Sequence, residues 1–261
     1  AAASASRATD RADRALDRAL QGLVGVEDGP PGVIAVVQRG ADRSVHSAGV
    51  AELGAKAPPR ARMQMRLAST AKAFSGAVAL ALVQKGELSL KSTIAELVPS
   101  LPAAWGEVTL QQVLSHTSGI PDFSKSDEFL DALVADPLHG PADQAELLTY
   151  IAGKPLSFEP GSRYRYSNSD NIVVALMIEA ASGRSYRAAL RREVLKPLGI
   201  RHTSLPRSAA MADPYMHGYD IDGSGTEDVS EIIDPNWTGA SGGLVSTPLE
   251  LNAFARGYVG G

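Results

Sequence analysis

The sequence predicts an α+β fold: an α/β sandwich domain with an all-helical domain inserted into it. Three observations predict it. An amphipathic helix precedes two β-branched segments near the N-terminus, giving a sheet and a helix to cover it. The middle of the chain carries helix caps and helical periodicity. A short strand-like return near the end then leads into a last capped helix. The boundaries that follow are residues 1–68 and 220–261 for the α/β domain and residues 69–219 for the mainly helical one.

In chain order, residues from about Arg7 to Val24 place Ala8, Ala12, Leu16, Leu20 and Leu23 on one stripe, with charged pairs such as Asp10 and Arg14 opposite. Gly32 to Val37 is a β-branched strand, Gly40-Ala41-Asp42 a turn, and Arg43 to Ala51 a second strand, together a hairpin. The next helix carries Ala73, Phe74, Ala77, Val78, Leu80, Ala81 and Val83, apolar nearly all round as in a helix enclosed by protein, and Gly86 ends it. Thr109 and Gln112 form a capping box, and helices are predicted over Asp143 to Ala152, Asn168 to Ala181 and Ser185 to Leu195, the last two parted by Ser182-Gly183. Thr247-Pro248-Leu249-Glu250 combines an N-cap, a first-turn proline and a second capping box, starting a helix toward Tyr258.

Composition narrows the function. A chain of 261 residues with 44% hydrophobic content can bury a sizeable core without disulfides. A net charge of −4, without a long basic run, excludes nucleic acid or an anionic membrane as the main partner. The longest apolar or small stretch, Ala73 to Val83, is far short of the ~20 residues that span a bilayer. With no cysteine, thiol catalysis and thiolate metal sites are excluded. The start Ala1-Ala2-Ala3-Ser4 fits a mature secreted chain after signal cleavage, or an engineered start.

The one Ser-x-x-Lys tetrad, Ser69 to Lys72, lies at a predicted strand-to-helix junction. Residues three apart on a helix have side-chain roots roughly 5–6 Å apart, so the amine reaches the hydroxyl. A serine hydroxyl attacks a carbonyl well only when a neighbour takes its proton. The first turn of a helix adds unpaired N–H groups and a positive end that favour developing negative charge. Tyr166-Ser167-Asn168 is the one Tyr-x-Asn triplet, and in an extended loop its outer residues face the same way. The competing reading makes Tyr166 a half-buried aromatic and Asn168 an N-cap.

At these residues the chain resembles the serine β-lactamase and penicillin-binding superfamily, particularly class C β-lactamases and the secreted D-alanyl-D-alanine carboxypeptidases and esterases. The matching segments are Leu67 to Lys72, Leu114-Ser115-His116-Thr117-Ser118-Gly119-Ile120, Pro160-Gly161 leading to Tyr164 to Asn168, Pro197-Leu198-Gly199, and Ser241 to Thr247, in the family's order. The resemblance implies a β-lactamase/transpeptidase-like fold with the active site at the domain interface. It implies that Ser69 is acylated, Lys72 helps activate it, Tyr166 transfers protons with Lys72, Asn168 holds the substrate amide, and the Ser69 N–H forms half an oxyanion hole. A nearby Lys72 charge would stabilise a Tyr166 phenolate. Trp237 is expected to line the pocket, or else to pack under a loop. No cofactor is expected. The expected ligands are a small molecule or a peptidoglycan peptide, with β-lactams as acylating ligands, in a secreted or periplasmic, cell-envelope setting.

The family's third motif, His/Lys-Thr/Ser-Gly, does not occur in this chain. The expectation is that the remaining C-terminal strands and helix lie beyond residue 261, with a complementary C-terminal fragment as a candidate partner. Gly239-Ala240-Ser241-Gly242-Gly243 mimics a hydrolase elbow, but residues 242–261 contain no Asp and no His, and Gly-Gly-Leu-Val-Ser-Thr-Pro cannot start a helix at once. His46, His116, His139, His202 and His217 lack metal-ligand spacing, and His116 is expected to be structural. The sequence thus points to D-alanyl-D-alanine carboxypeptidase first, then a class C-like β-lactamase or esterase. The rival of another class is a non-catalytic binding protein on the same scaffold.

Overall fold

Gly40, at φ +62°, and Ala41 reverse the chain, and the runs on either side pair as an antiparallel hairpin, Gly32–Arg39 with Asp42–Gly49. The left-handed turn position falls to a residue with no Cβ. The protein is seen in a computed structural model that describes residues 2–222 and 225–260. It divides into two compact units, Ala1–Arg66 with Ala210–Glu231 and Ser246–Gly261, and Leu67–Ala209 with Ile232–Val245.

In the first unit the helix Ala2–Val24 packs on both strands of the hairpin. Asp13 pairs with Arg39 at 3.0 Å and Asp17 Oδ1 lies 2.7 Å from His46 Nδ1, so charged residues of the helix also tie it to the sheet. The helix Pro248–Gly260 packs on the first strand and starts as predicted, with Thr247 Oγ1 accepting from Glu250 N–H at 3.3 Å. A second hairpin, Tyr219–Asp222 with Gly225–Asp228, has no counterpart in the sequence reading. Its second strand is exposed throughout and rich in polar residues, so no burial alternation marks it.

The second unit is built around the helix Asn168–Ser182, in which every residue from Ser169 to Ile178 is buried. Gly183, at φ +63°, ends it as predicted. The helix Ala71–Gln84, with Phe74, Val78 and Leu82 buried, lies against it, and Ser75 Oγ donates to Asn171 Oδ1 at 2.8 Å across the contact. This helix is not enclosed all round as predicted: Ala73 is exposed and Leu80 is 41% exposed. Its apolar character reflects small alanines rather than burial on every face. The Thr109 to Gln112 capping box is present with both of its bonds. Gln144–Ile151 is a 3-10 helix rather than an α-helix, and the segment from Ser185 runs as an α-helix Tyr186–Leu190 and a π-turn Arg191–Leu195.

The unit bounds differ from the expected 1–68, 69–219 and 220–261 in three places, the first a shift of Leu67 and Ala68 into the second unit, where Leu67 N–H donates to Leu244 O. Residues 210–219 join the first unit because Gln64 exchanges backbone bonds with Pro214 and Met216, and Ala51 O accepts from His217 N–H. Residues 232–245 join the second because the short helix Gly239–Gly242 packs on Asn168–Ser182, and Val245 exchanges two backbone bonds with Ser204.

Candidate active site

Everything in the site belongs to the second unit. Leu67 N–H donates to Leu244 O at 2.9 Å, and Ala68 then adopts φ +45°, an uncommon conformation for a residue with a Cβ, costing on the order of 1–2 kcal/mol. A 3-10 turn, Ala68–Thr70, follows and runs into Ala71–Gln84. Ser69 therefore sits in the turn before the α-helix, not in its first turn as predicted. The three-residue spacing still works, because a 3-10 turn also stacks residues i and i+3.

Ser69 is exposed, and its Oγ lies 2.8 Å from Tyr166 Oη. Lys72 Nζ donates to Ser69 Oγ at 3.3 Å, to Asn168 Oδ1 at 2.8 Å and to the Ser241 carbonyl at 2.6 Å. It also lies 4.9 Å from the centre of the Tyr166 ring. An ammonium has three hydrogens and no lone pair. Here it meets three acceptors. Tyr166 Oη also reaches Asn168 Oδ1 at 3.3 Å, while Asn168 Nδ2 donates to Ser124 Oγ at 3.0 Å and Asp122 Oδ2 at 3.3 Å. Ser69 and Lys72 and, from a segment far away in sequence, Tyr166 and Asn168 thus form one hydrogen-bonded cluster. Asn168 is the first residue of its helix rather than the cap, a position held by Ser167.

The loop carrying Tyr166 is pinned to the segment 116–119. Ser157 N–H donates to Gly119 O, Gly161 N–H to Thr117 O, and Arg165 N–H to His116 O. Gly119 is at φ +79°, and a Cβ there would lie 2.3 Å from Phe158 O, so only glycine lets the two segments approach. His116 is also left-handed, at φ +56°, and its Nδ1 lies 2.9 Å from Asp170 Oδ2. Ser118 Oγ donates to the other oxygen of Asp170.

Burial pushes the Asp170 carboxyl up to about 6, against the opposite pull of its hydrogen bonds to His116 and Ser118. An acid whose folded value exceeds its unfolded one lends stability that is fully present below the unfolded value and lost as pH rises through the folded value. Between the ordinary 3.8 and about 6 the wild type should therefore lose stability relative to Asp170→Asn. The loss should approach about 3 kcal/mol and then level off. Urea unfolding of both proteins across this window measures it, and a difference that does not vary with pH would assign the burial cost elsewhere.

Trp237 is not brought to this cluster. Its ring is 5% exposed, packs edge-on against Phe129 and donates to Asp136 O at 3.1 Å, so it is a core aromatic under a loop. Among the described contacts none joins it to Ser69, Lys72, Tyr166 or Asn168. The elbow-like Ser241 spends its hydroxyl on Thr238 O at 2.6 Å and serves the site through its carbonyl. Sequence reasoning missed that carbonyl, because a backbone acceptor has no residue-type signal. It also missed Asp122 and Ser124, which hold the Asn168 amide.

Fold and site together define a β-lactamase/transpeptidase-like protein. The chain belongs to the Beta-lactamase family, whose profile it matches over residues 14–261. It is similar to penicillin-binding protein 4* of Bacillus subtilis (strain 168), 30% identical over 183 residues, covering 68% of this chain and 39% of that protein. Protein flp of Staphylococcus aureus (strain NCTC 8325 / PS 47) is 28% identical over 206 residues, covering 77% of this chain and 39% of that protein. The chain thus spans well under half the length of these curated relatives. Among solved structures, a D-stereospecific amidohydrolase from Streptomyces sp. superposes with a TM-score of 0.81 at 26% identity, over 94% of this chain and 72% of that one. The D-amino acid amidase from Ochrobactrum anthropi SV3, complexed with L-phenylalanine, superposes with a TM-score of 0.76 at 26% identity, over 92% and 68%. Among the described residues no helix is long and apolar enough to cross a membrane.

Proposed function

We propose that this protein is a serine acyl-transferring hydrolase that cleaves an amide or ester at a D-configured residue. The reading rests on one observation, the exposed Ser69 Oγ within 2.8 Å of Tyr166 Oη and 3.3 Å of Lys72 Nζ. Lys72, with its three hydrogens committed to Ser69, Asn168 and Ser241, is a charge donor in this arrangement and has no lone pair to act as a base. That leaves Tyr166 Oη to receive the serine proton. Ser69 Oγ attacks the carbonyl carbon while its proton passes to Tyr166. The Lys72 charge favours the phenolate form of Tyr166 before attack; Tyr166 is a neutral phenol while it carries the serine proton and is a phenolate again once it has passed that proton to the departing amine or alcohol. Water, or an acceptor amine, attacks the acyl-serine and regenerates the hydroxyl.

Within this class, D-alanyl-D-alanine carboxypeptidase is the first reading, with β-lactams as acylating ligands and a cell-envelope location to match a peptidoglycan substrate. The likeness to a penicillin-binding protein supports it. A D-amino-acid amidase is the second reading, favoured by the 94% coverage and TM-score of 0.81 with a D-stereospecific amidohydrolase. Incubating the protein with benzylpenicillin and weighing it intact is expected to give one covalent adduct per chain. Comparing release of D-alanine from a D-Ala-D-Ala peptide with release of ammonia from a D-amino acid amide then separates the two. No adduct and no turnover of either substrate would reject the enzyme and leave a binding protein.

A further inference from the structure

The Tyr166 ring has two polar neighbours. Lys72 Nζ lies 4.9 Å from its centre, and the His116 ring lies 4.7 Å away, tilted by 41°. The edge of Tyr164 meets the His116 ring at 6.0 Å. His116 holds the phenol loop by its backbone as well, since its carbonyl accepts from Arg165 N–H at 2.8 Å. Its Nδ1 is 3.4 Å from Ser167 N and 2.9 Å from Asp170 Oδ2, and Asp170 is fully buried with Ser118 Oγ on its other oxygen. His116, Arg165, Tyr166, Ser167 and Asp170 thus form one chain of contacts from a buried carboxyl to the phenol beside the nucleophile.

A role confined to holding the loop would not call for a carboxylic group buried behind an imidazole. Backbone bonds at Thr117 and Gly119 already tie the two segments together, and an uncharged partner would satisfy Nδ1 at less desolvation cost. We propose that His116, anchored by Asp170, is a positioning residue for Tyr166, fixing the plane of the phenol so that its oxygen faces Ser69. The inference rests on the acyl-transfer reading above and adds a residue pair to it. When Asp170 is ionised, Nδ1–H donates to a carboxylate, a shorter and stronger bond than one between neutral partners, and the ring is held most firmly. When Asp170 is protonated, its O–H can instead donate to Nδ1 and the bond loses its charge. The other charged or titratable groups facing this pair and the phenol are Lys72, Tyr164 and, beyond Asn168, Asp122.

The test measures the rate of acylation by a fluorescent penicillin as a function of pH, for wild type, His116→Asn and Asp170→Asn. Asparagine tolerates the left-handed backbone of position 116 but removes the ring from beneath Tyr166. His116→Asn is expected to fold with a lowered urea midpoint, because the buried Asp170 loses its ring partner, and, measured on the folded protein, to acylate about 10-fold to 100-fold more slowly, as a displaced reacting group does. The wild-type rate is expected to rise through about pH 6, and Asp170→Asn, which keeps the shape and loses the ionisation, should lack that step. Should His116→Asn fail to fold, Asp170→Asn carries the test. Labelling of wild type with unchanged rate in His116→Asn, or an unshifted profile in Asp170→Asn, overturns the role of the pair alone. A wild type that takes no label overturns the acyl-transfer reading and this role with it.

Discussion

Ser69→Ala is expected to abolish the penicillin adduct in the intact mass, with acylation falling on the order of 10⁴-fold or more, since no covalent intermediate can form. Among the described residues, Ser69 is the one hydroxyl bonded to both Lys72 Nζ and Tyr166 Oη. Two other serines nearby are committed: Ser75 Oγ bonds to Lys72 O and Asn171 Oδ1, and Ser241 Oγ donates to Thr238 O. Because Ser69 is exposed in a 3-10 turn, removing one oxygen should leave the urea midpoint within about 0.5 kcal/mol of wild type. A surviving adduct on a folded Ser69→Ala protein would place the nucleophile elsewhere and dismantle the mechanism.

Lys72→Met is the second large effect. Methionine keeps an unbranched chain of similar length and removes the charge, so the Tyr166 phenolate that takes the serine proton loses a neighbouring cation. The expected cost in acylation is about 10²–10⁴-fold, the range for a positioned proton-transfer system. A second cost falls on stability. Asn168 Oδ1 keeps only the 3.3 Å contact with Tyr166, and the Ser241 carbonyl loses its 2.6 Å partner. Leaving such part-buried acceptors unpaired should cost about 1–3 kcal/mol. Rate and urea midpoint are read on the same sample. A rate loss without a stability loss would show that water replaces the ammonium.

The local half of the site was legible because local spacing encodes it. Ser69 and Lys72 meet because they are three residues apart, whether the turn is 3-10 or α. Tyr166 and Asn168 face the same cluster because they flank a single residue in an extended approach to a helix. The capped helices at Thr109 and Thr247 carried their own start signals. What stayed hidden is non-local or carried by the backbone. His116 and Asp170 are 54 residues apart, and nothing in either neighbourhood names the other. The Ser241 carbonyl could belong to any residue type. For Trp237 the sequence left two readings open, pocket lining or packing under a loop, and its Nε1–H bond to Asp136 O and its packing on Phe129 fit the second. The hairpin at Tyr219–Asp228 was invisible because a strand exposed throughout has no apolar face to alternate.

The saturated carboxamide of Asn168 has a consequence for affinity. Its oxygen accepts from Lys72 and Tyr166, and its nitrogen donates to Ser124 and Asp122. An incoming amide can engage it only by swapping one bond for another, a trade of nearly equal free energies. Ground-state association at this corner should be weak, leaving the protein to spend its interactions on the tetrahedral species that follows attack.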